Sequence, residues 1–168
     1  MVKIRKGMFE TNSSSTHTII VTNQNCEPGA IVDFRIGEFG WEFRRLDTID
    51  EKASYLYTMG CYIYDRDIYQ DLYEILCKYG VKCTCTEPAE FDKKGGWLVN
   101  GYVDHGGVDD SKQFVDDMLS HEKFLIRYLF SPESFVITGN DNCSNKDYDW
   151  KEKQCDVDYK HKTYYKGN

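Results

Sequence analysis

Apolar positions along this chain recur with two periods, and the switches between them mark its elements. Residues 17–22 centre on Ile19-Ile20-Val21 and read as a strand, and Val2 and Ile4 suggest an opening strand within 1–11. Residues 23–29 form a loop. Ile31-Val32-Asp33-Phe34 then reads as a second strand, paired with the first through that loop. The period changes at 49–59, where Ile49, Ala53, Leu56 and Tyr57 share a helical face. Thr48 and Glu51 stand at capping-box spacing, and Gly60 is the expected stop. A second helix is expected over 66–79, capped by Asp65, with Ile68, Leu72, Ile75, Leu76 and Tyr79 on one stripe and Gly80 at its end. Val81, Cys83 and Cys85 alternate as a strand, residues 87–96 form a loop, and Trp97–Val103 reads as a strand bent at Asn100-Gly101. Helical spacing returns from 111 to 130, divided at Ser120-His121 and ended by Pro132. Ser134–Thr138 is a short apolar strand, followed by Gly139-Asn140-Asp141-Asn142 as a turn. The charged segment 144–168 has no clear period, consistent with an edge or a flexible tail.

These elements predict an α+β protein of one domain spanning 1–168. Its expected architecture is a mixed sheet of about five or six strands packed with three or four helices. A chain of 168 residues buries one substantial core without staples. The seven cysteines are odd in number and follow no signal-like segment, which suits a reducing cytoplasm. No apolar run is long enough to span a bilayer, so no membrane association is expected. The net charge of −7 argues against broad binding to a phosphate backbone, so no direct nucleic-acid contact is expected. It suits instead a basic protein surface.

Three polar clusters flank predicted strands: Asn12 to His17, Asp104-His105-Gly106-Gly107, and Gly139-Asn140-Asp141-Asn142. If those strand ends meet, His17, Asp104, His105 and Asp141 form a candidate divalent-metal set, since imidazole and carboxylate suit Zn, Mn or Fe. Alternatively Ser13, Ser14 or Ser15 acts as a nucleophile, with a His as base and an Asp orienting it. Each cluster also has a plain structural reading as a turn, a cap or a hydrogen-bonded strand end. No Walker, Rossmann, HExxH or GxSxG pattern is present, so no tightly bound nucleoside triphosphate or dinucleotide cofactor is expected and a divalent metal is the one candidate. Cys83-Thr84-Cys85 lacks structural-zinc spacing and reads as core. The series Tyr55, Tyr57, Tyr62, Tyr64, Tyr69 and Tyr73 reads as packing or interface.

The opening Lys3 to His17, and within it Phe9-Glu10-Thr11-Asn12-Ser13-Ser14-Ser15-Thr16-His17, resembles the start of uncharacterised proteins of bacteriophages, prophages and their mostly Gram-positive hosts. Asp104-His105 and Phe135 to Asn142 also resemble segments of those proteins. The resemblance covers about a sixth of the chain. It brings no reaction with it. It implies a mobile-element accessory protein in the cytoplasm of a bacterial host.

Two functional classes follow. The preferred one is an anti-defence, anti-CRISPR-like inhibitor that binds a basic surface of a host effector, such as a nucleic-acid channel. Its contact candidates lie in 109–117 and 147–158, with Asp109, Asp110, Asp116 and Asp117 foremost. The alternative is a small His/Asp phosphoester or nucleotide hydrolase, or a nucleotide sponge, built on the three polar clusters.

Overall fold

The computed structural model describes residues 15–104, 109–140 and 161–166. In chain order they form β1 (Ser15–Thr22), β2 (Ile31–Arg35), β3 (Glu38–Phe39), β4 (Arg44–Leu46), α1 (Ile49–Tyr64), α2 (Tyr69–Cys77), β5 (Lys82–Glu87), β6 (Tyr102–Val103), α3 (Asp109–Ser120), α4 (Glu122–Phe130), β7 (Phe135–Asn140) and β8 (His161–Lys166). The class is α+β. The strands do not join one mixed sheet, however. They form an antiparallel sheet ordered β4-β7-β1-β8 and two parallel pairs, β2-β5 and β3-β6.

Alternation decides which face of the large sheet is core. Val21 is buried against the helices with Ile19, and Leu46 and Val136 join them in the main core cluster. Ile20, Phe135 and Ile137 form a separate small cluster with Phe43 on the opposite face. His17 lies two residues before Ile19, on the helix-packed face, and is fully buried. Helix α1 runs through the centre of the molecule and packs against β2, β6, α3 and α4.

Several expectations are corrected by specific interactions. β2 pairs in parallel with β5, not with β1. Val32, Asp33 and Phe34 are all buried, the continuous burial that parallel strands show. Asp33 makes the pairing specific: its carboxylate accepts from Thr84 Oγ1 at 2.7 Å and Thr86 Oγ1 at 2.8 Å on β5. Burial pushes this carboxyl up, but hydrogen bonds from Thr84, Arg35 and Thr86 outweigh that and hold it below its ordinary value.

Helix α1 begins at the predicted capping box but runs through Gly60 to Tyr64. Gly60 is there because the Ile68 side chain occupies the space a Cβ would need. The stop is Asp65, in the left-handed conformation at φ 50°. Asp65 therefore ends α1 and does not cap α2. Asp67 receives the Tyr69 N–H at 2.7 Å, and α2 is shorter than expected. Of the strand expected over Trp97–Val103, Tyr102–Val103 pairs with β3 while Leu98 forms a separate antiparallel bridge with Phe91, because Asn100 donates to Pro88 O and accepts from Glu90 N and folds the preceding residues back. Gly139 and Asn140 extend β7 rather than turning. The break between α3 and α4 falls at His121, as the pattern indicates. Part of the charged tail forms the edge strand β8.

Among the described residues the core holds one buried lysine or arginine. Lys52, on α1, is 1% exposed and its Nζ donates to Ser131 O at 2.9 Å and Ser134 O at 3.0 Å. Burial pulls this ammonium down to about 8 from 10.5. An unfolded chain therefore binds more protons here than the folded one between these values. Stability from Lys52 rises with pH through that window and is lost as pH falls through 8. Relative to Lys52→Met, the unfolding free energy of the wild type should grow between pH 8 and 10, by at most about 1.4 kcal/mol per pH unit. Denaturant melts of both proteins across that range check it, and a flat difference sinks it. The Cys61 and Cys83 thiols, driven by burial up to about 12 and about 11, act in the opposite sense above pH 9 but cancel in the comparison.

Candidate functional site

Two of the three polar clusters meet around Gly40, between β3 and β4. A Cβ built at Gly40 would lie 2.5 Å from Asp104 Cβ and 2.9 Å from His17 Nε2. His17 and Asp104 thus face one point, and only a glycine fits between them. Its φ of +110° also excludes other residues. The third cluster reaches the same sheet through backbone register. His17 pairs with Thr138, Thr16 with Gly139 and Ser15 with Asn140. Ser13, Ser14, His105 and Asp141 lie outside the described residues.

The hydrogen bonds assign states to these groups. His17 Nδ1 is 2.9 Å from Tyr55 Oη. Tyr55 is fully buried, and burial drives its phenol well above the ordinary value, so it stays neutral. It makes no other hydrogen bond among the described residues, and a buried hydroxyl proton needs an acceptor. One tautomer satisfies the phenol: Tyr55 donates to Nδ1 and the imidazole proton stands on Nε2, the nitrogen against Gly40. In this tautomer neither ring nitrogen is ready to take a proton from a nucleophile. Asp104 is 6% exposed, accepts from Tyr102 Oη at 2.9 Å and donates its backbone N–H to Phe39 O.

Outside this buried pair stands an aromatic shelf. Trp41 follows Gly40, is 38% exposed and stacks on Tyr102 at 5.7 Å and 21°. Tyr62 meets the same Tyr102 ring edge-on at 6.2 Å. Glu38 and Glu42 flank Trp41 and are exposed. The arginines that follow are matched, Arg44 to Glu51 at 3.8 Å and Arg45 to Asp47 at 3.2 Å. Residues 35–48 carry neither a clear period nor a motif, so nothing in the pattern singled out Gly40 or Trp41. Tyr55 stood out only as one of a tyrosine series.

The acidic contact candidates are placed differently. Asp109 and Asp110 begin α3. Asp116 accepts from Tyr64 Oη and from Lys112 Nζ, and these bonds, Tyr64 first, hold its carboxyl below the ordinary value. Asp117 is 7% exposed, accepts from Gln113 at 3.0 Å and has His121 Nδ1 at 3.9 Å. Asp117 is thus part of the packed face of α3 and not open contact surface. The five described cysteines are free thiols, with Cys83 and Cys85 half-buried against the core. Among the described residues no group of three or more His, Cys, Asp or Glu is placed to hold a metal ion. No helix among them is long and apolar enough to cross a membrane.

The chain matches no protein-family model, no curated protein and no solved structure.

Two outcomes follow from the Gly40 packing. A long-range proton–nitrogen spectrum at pH 7 should show His17 protonated on Nε2 and bare on Nδ1. Tyr55→Phe should remove that bias and cost about 1–3 kcal/mol, since it leaves a buried acceptor unpaired. Gly40→Ala should cost more than about 2 kcal/mol in denaturant melts, from clash and positive φ together. A neutral effect would mean that His17 and Asp104 do not converge there.

Proposed function

We propose that this is a non-enzymatic binding protein whose working face is the acidic–aromatic shelf around Trp41, and that its partner is a basic protein surface. The observation that carries the reading is Trp41, partly exposed, braced on Tyr102 and flanked by Glu38 and Glu42. A pre-braced indole loses little freedom on binding, and its face attracts arginine or lysine. Carboxylates beside it supply the complementary charge, in keeping with the net −7. The phage-like opening supports a setting in the cytoplasm of a bacterial host, as an accessory protein acting against a host defence effector. The nucleic-acid channel of such an effector is a basic surface of the kind required.

A second reading rests on the packing of His17 and Asp104 at Gly40 and the pairing of Ser15 with Asn140. It is a hydrolase or a nucleotide sponge that uses these clusters, with His105 and Asp141 completing a metal set. It ranks second because His17 is sealed and its imidazole is engaged by Tyr55. Stoichiometric metal by elemental analysis, lost in His17→Ala, would reverse the ranking.

Calorimetric titration with an arginine-rich peptide tests the first reading. Trp41→Ala and Glu42→Lys should each weaken binding by roughly tenfold, and added salt should weaken the wild type. Binding that ignores both substitutions, or salt, would show that the shelf is not the contact face.

A further inference from the structure

The β1–β2 loop, Tyr79 just beyond α2 and one face of α4 line a cavity of about 260 Å³. Lys123 and Arg127 line it from α4, four residues apart and therefore on the same face. Neither makes an ion pair among the described residues, in a chain where acids outnumber bases by 28 to 21. Arg127 is held in place by one bond, Nη2 to Asn25 Oδ1 at 2.6 Å. Its Nε–H is sealed from water and meets no acceptor among the described residues. Nη1 of this guanidinium makes no hydrogen bond among the described residues, and the bond from Nη2 to Asn25 sets its position. Glu27 also lines the cavity but lies beyond ion-pair distance of both cations. The remaining wall is apolar: Pro28, the Tyr79 ring and Ile126. The neighbouring Cys26 thiol is pushed up by burial, against the opposing pull of Arg127 and Lys52, so it adds no negative charge.

We propose that this cavity binds a small organic anion, a carboxylate or monophosphate carried on a flat apolar body. Arg127 offers a planar donor fork that matches either group. Lys123 adds a mobile second charge at the rim. The space between Pro28, Tyr79 and Ile126 suits a ring of the size that so small a cavity admits. This site shares no residue with the Trp41 shelf, so the two readings stand or fall separately.

Titration of the full chain with benzoate, phenyl phosphate and inorganic phosphate, followed by NMR shifts, tests it. At least one organic probe should saturate at or below about 1 mM. Lys123→Gln and Arg127→Gln should each weaken that binding by roughly tenfold, while Glu42→Lys leaves it unchanged. Lys123 is exposed, so its variant keeps the test valid if Arg127→Gln fails to fold. Preference for phenyl phosphate over benzoate would identify the group as phosphate, and the reverse as carboxylate. No saturation by either organic probe, equal binding of inorganic phosphate, or binding indifferent to Lys123→Gln would overturn the proposal.

Discussion

The ammonium of Lys52 is the constraint around which the rest of the molecule is arranged. It reaches from the second turn of α1 to the carbonyls of Ser131 and Ser134, where α4 ends and the chain turns into β7. Carbonyls at a helix C-terminus carry partial negative charge, so a cation there is favoured even while burial penalises it. Tyr128 on α4 returns the contact by donating to Lys52 O at 2.9 Å. The pair of contacts fixes α4 against α1 and sets where β7 starts. Since β7 pairs with both β4 and β1, its start governs the register of the antiparallel sheet.

That register explains how a polar histidine comes to lie in the core. With β7 placed, His17 stands opposite Thr138, on the face that also carries Ile19 and Val136. Tyr55, one turn along α1 from Lys52, meets the imidazole from the helix side. Gly40 covers it from the β3–β4 connection. The same arrangement brings Asp104 beside Gly40 and holds Tyr102 against Trp41. The buried pair and the exposed shelf are therefore one construction: the polar groups inside orient the aromatic rings outside. Asp33 plays a comparable part in the β2–β5 pair, where one carboxylate satisfies two threonines across the parallel strands and Arg35 on its own strand.

Surface charge is distributed more selectively than the net value suggests. Asp116 and Asp117 on α3 are engaged by Tyr64, Lys112 and Gln113. Arg44 and Arg45 are engaged by Glu51 and Asp47. What remains outward on the β3–β4 side is acidic and aromatic, whereas the α4 cavity is basic. A charge count sees only the sum of these regions.

The sequence by itself determined the local elements. Thr48 and Glu51 marked the start of α1, the 3.6-residue stripes marked the helices, and the apolar runs at 17–22 and 134–138 marked β1 and β7. These signals depend on neighbours a few residues apart, so no distant contact was needed to read them. His17 reads as a site candidate or a hydrogen-bonded strand end, and its burial follows only once the helices cover the face it shares with Ile19. Only the tertiary structure decided strand partners, the role of Gly60 and the meeting at Gly40. Gly60 reads as a helix stop until Ile68 is seen to occupy its Cβ space. Asp33 reads only as a member of an apolar strand, and its partners Thr84 and Thr86 come from some fifty residues away. His17, Gly40, Tyr55 and Asp104 come from four separate elements and turns, and no period links them. Close packing brings them together, and packing is a property of the whole chain, not of any window along it.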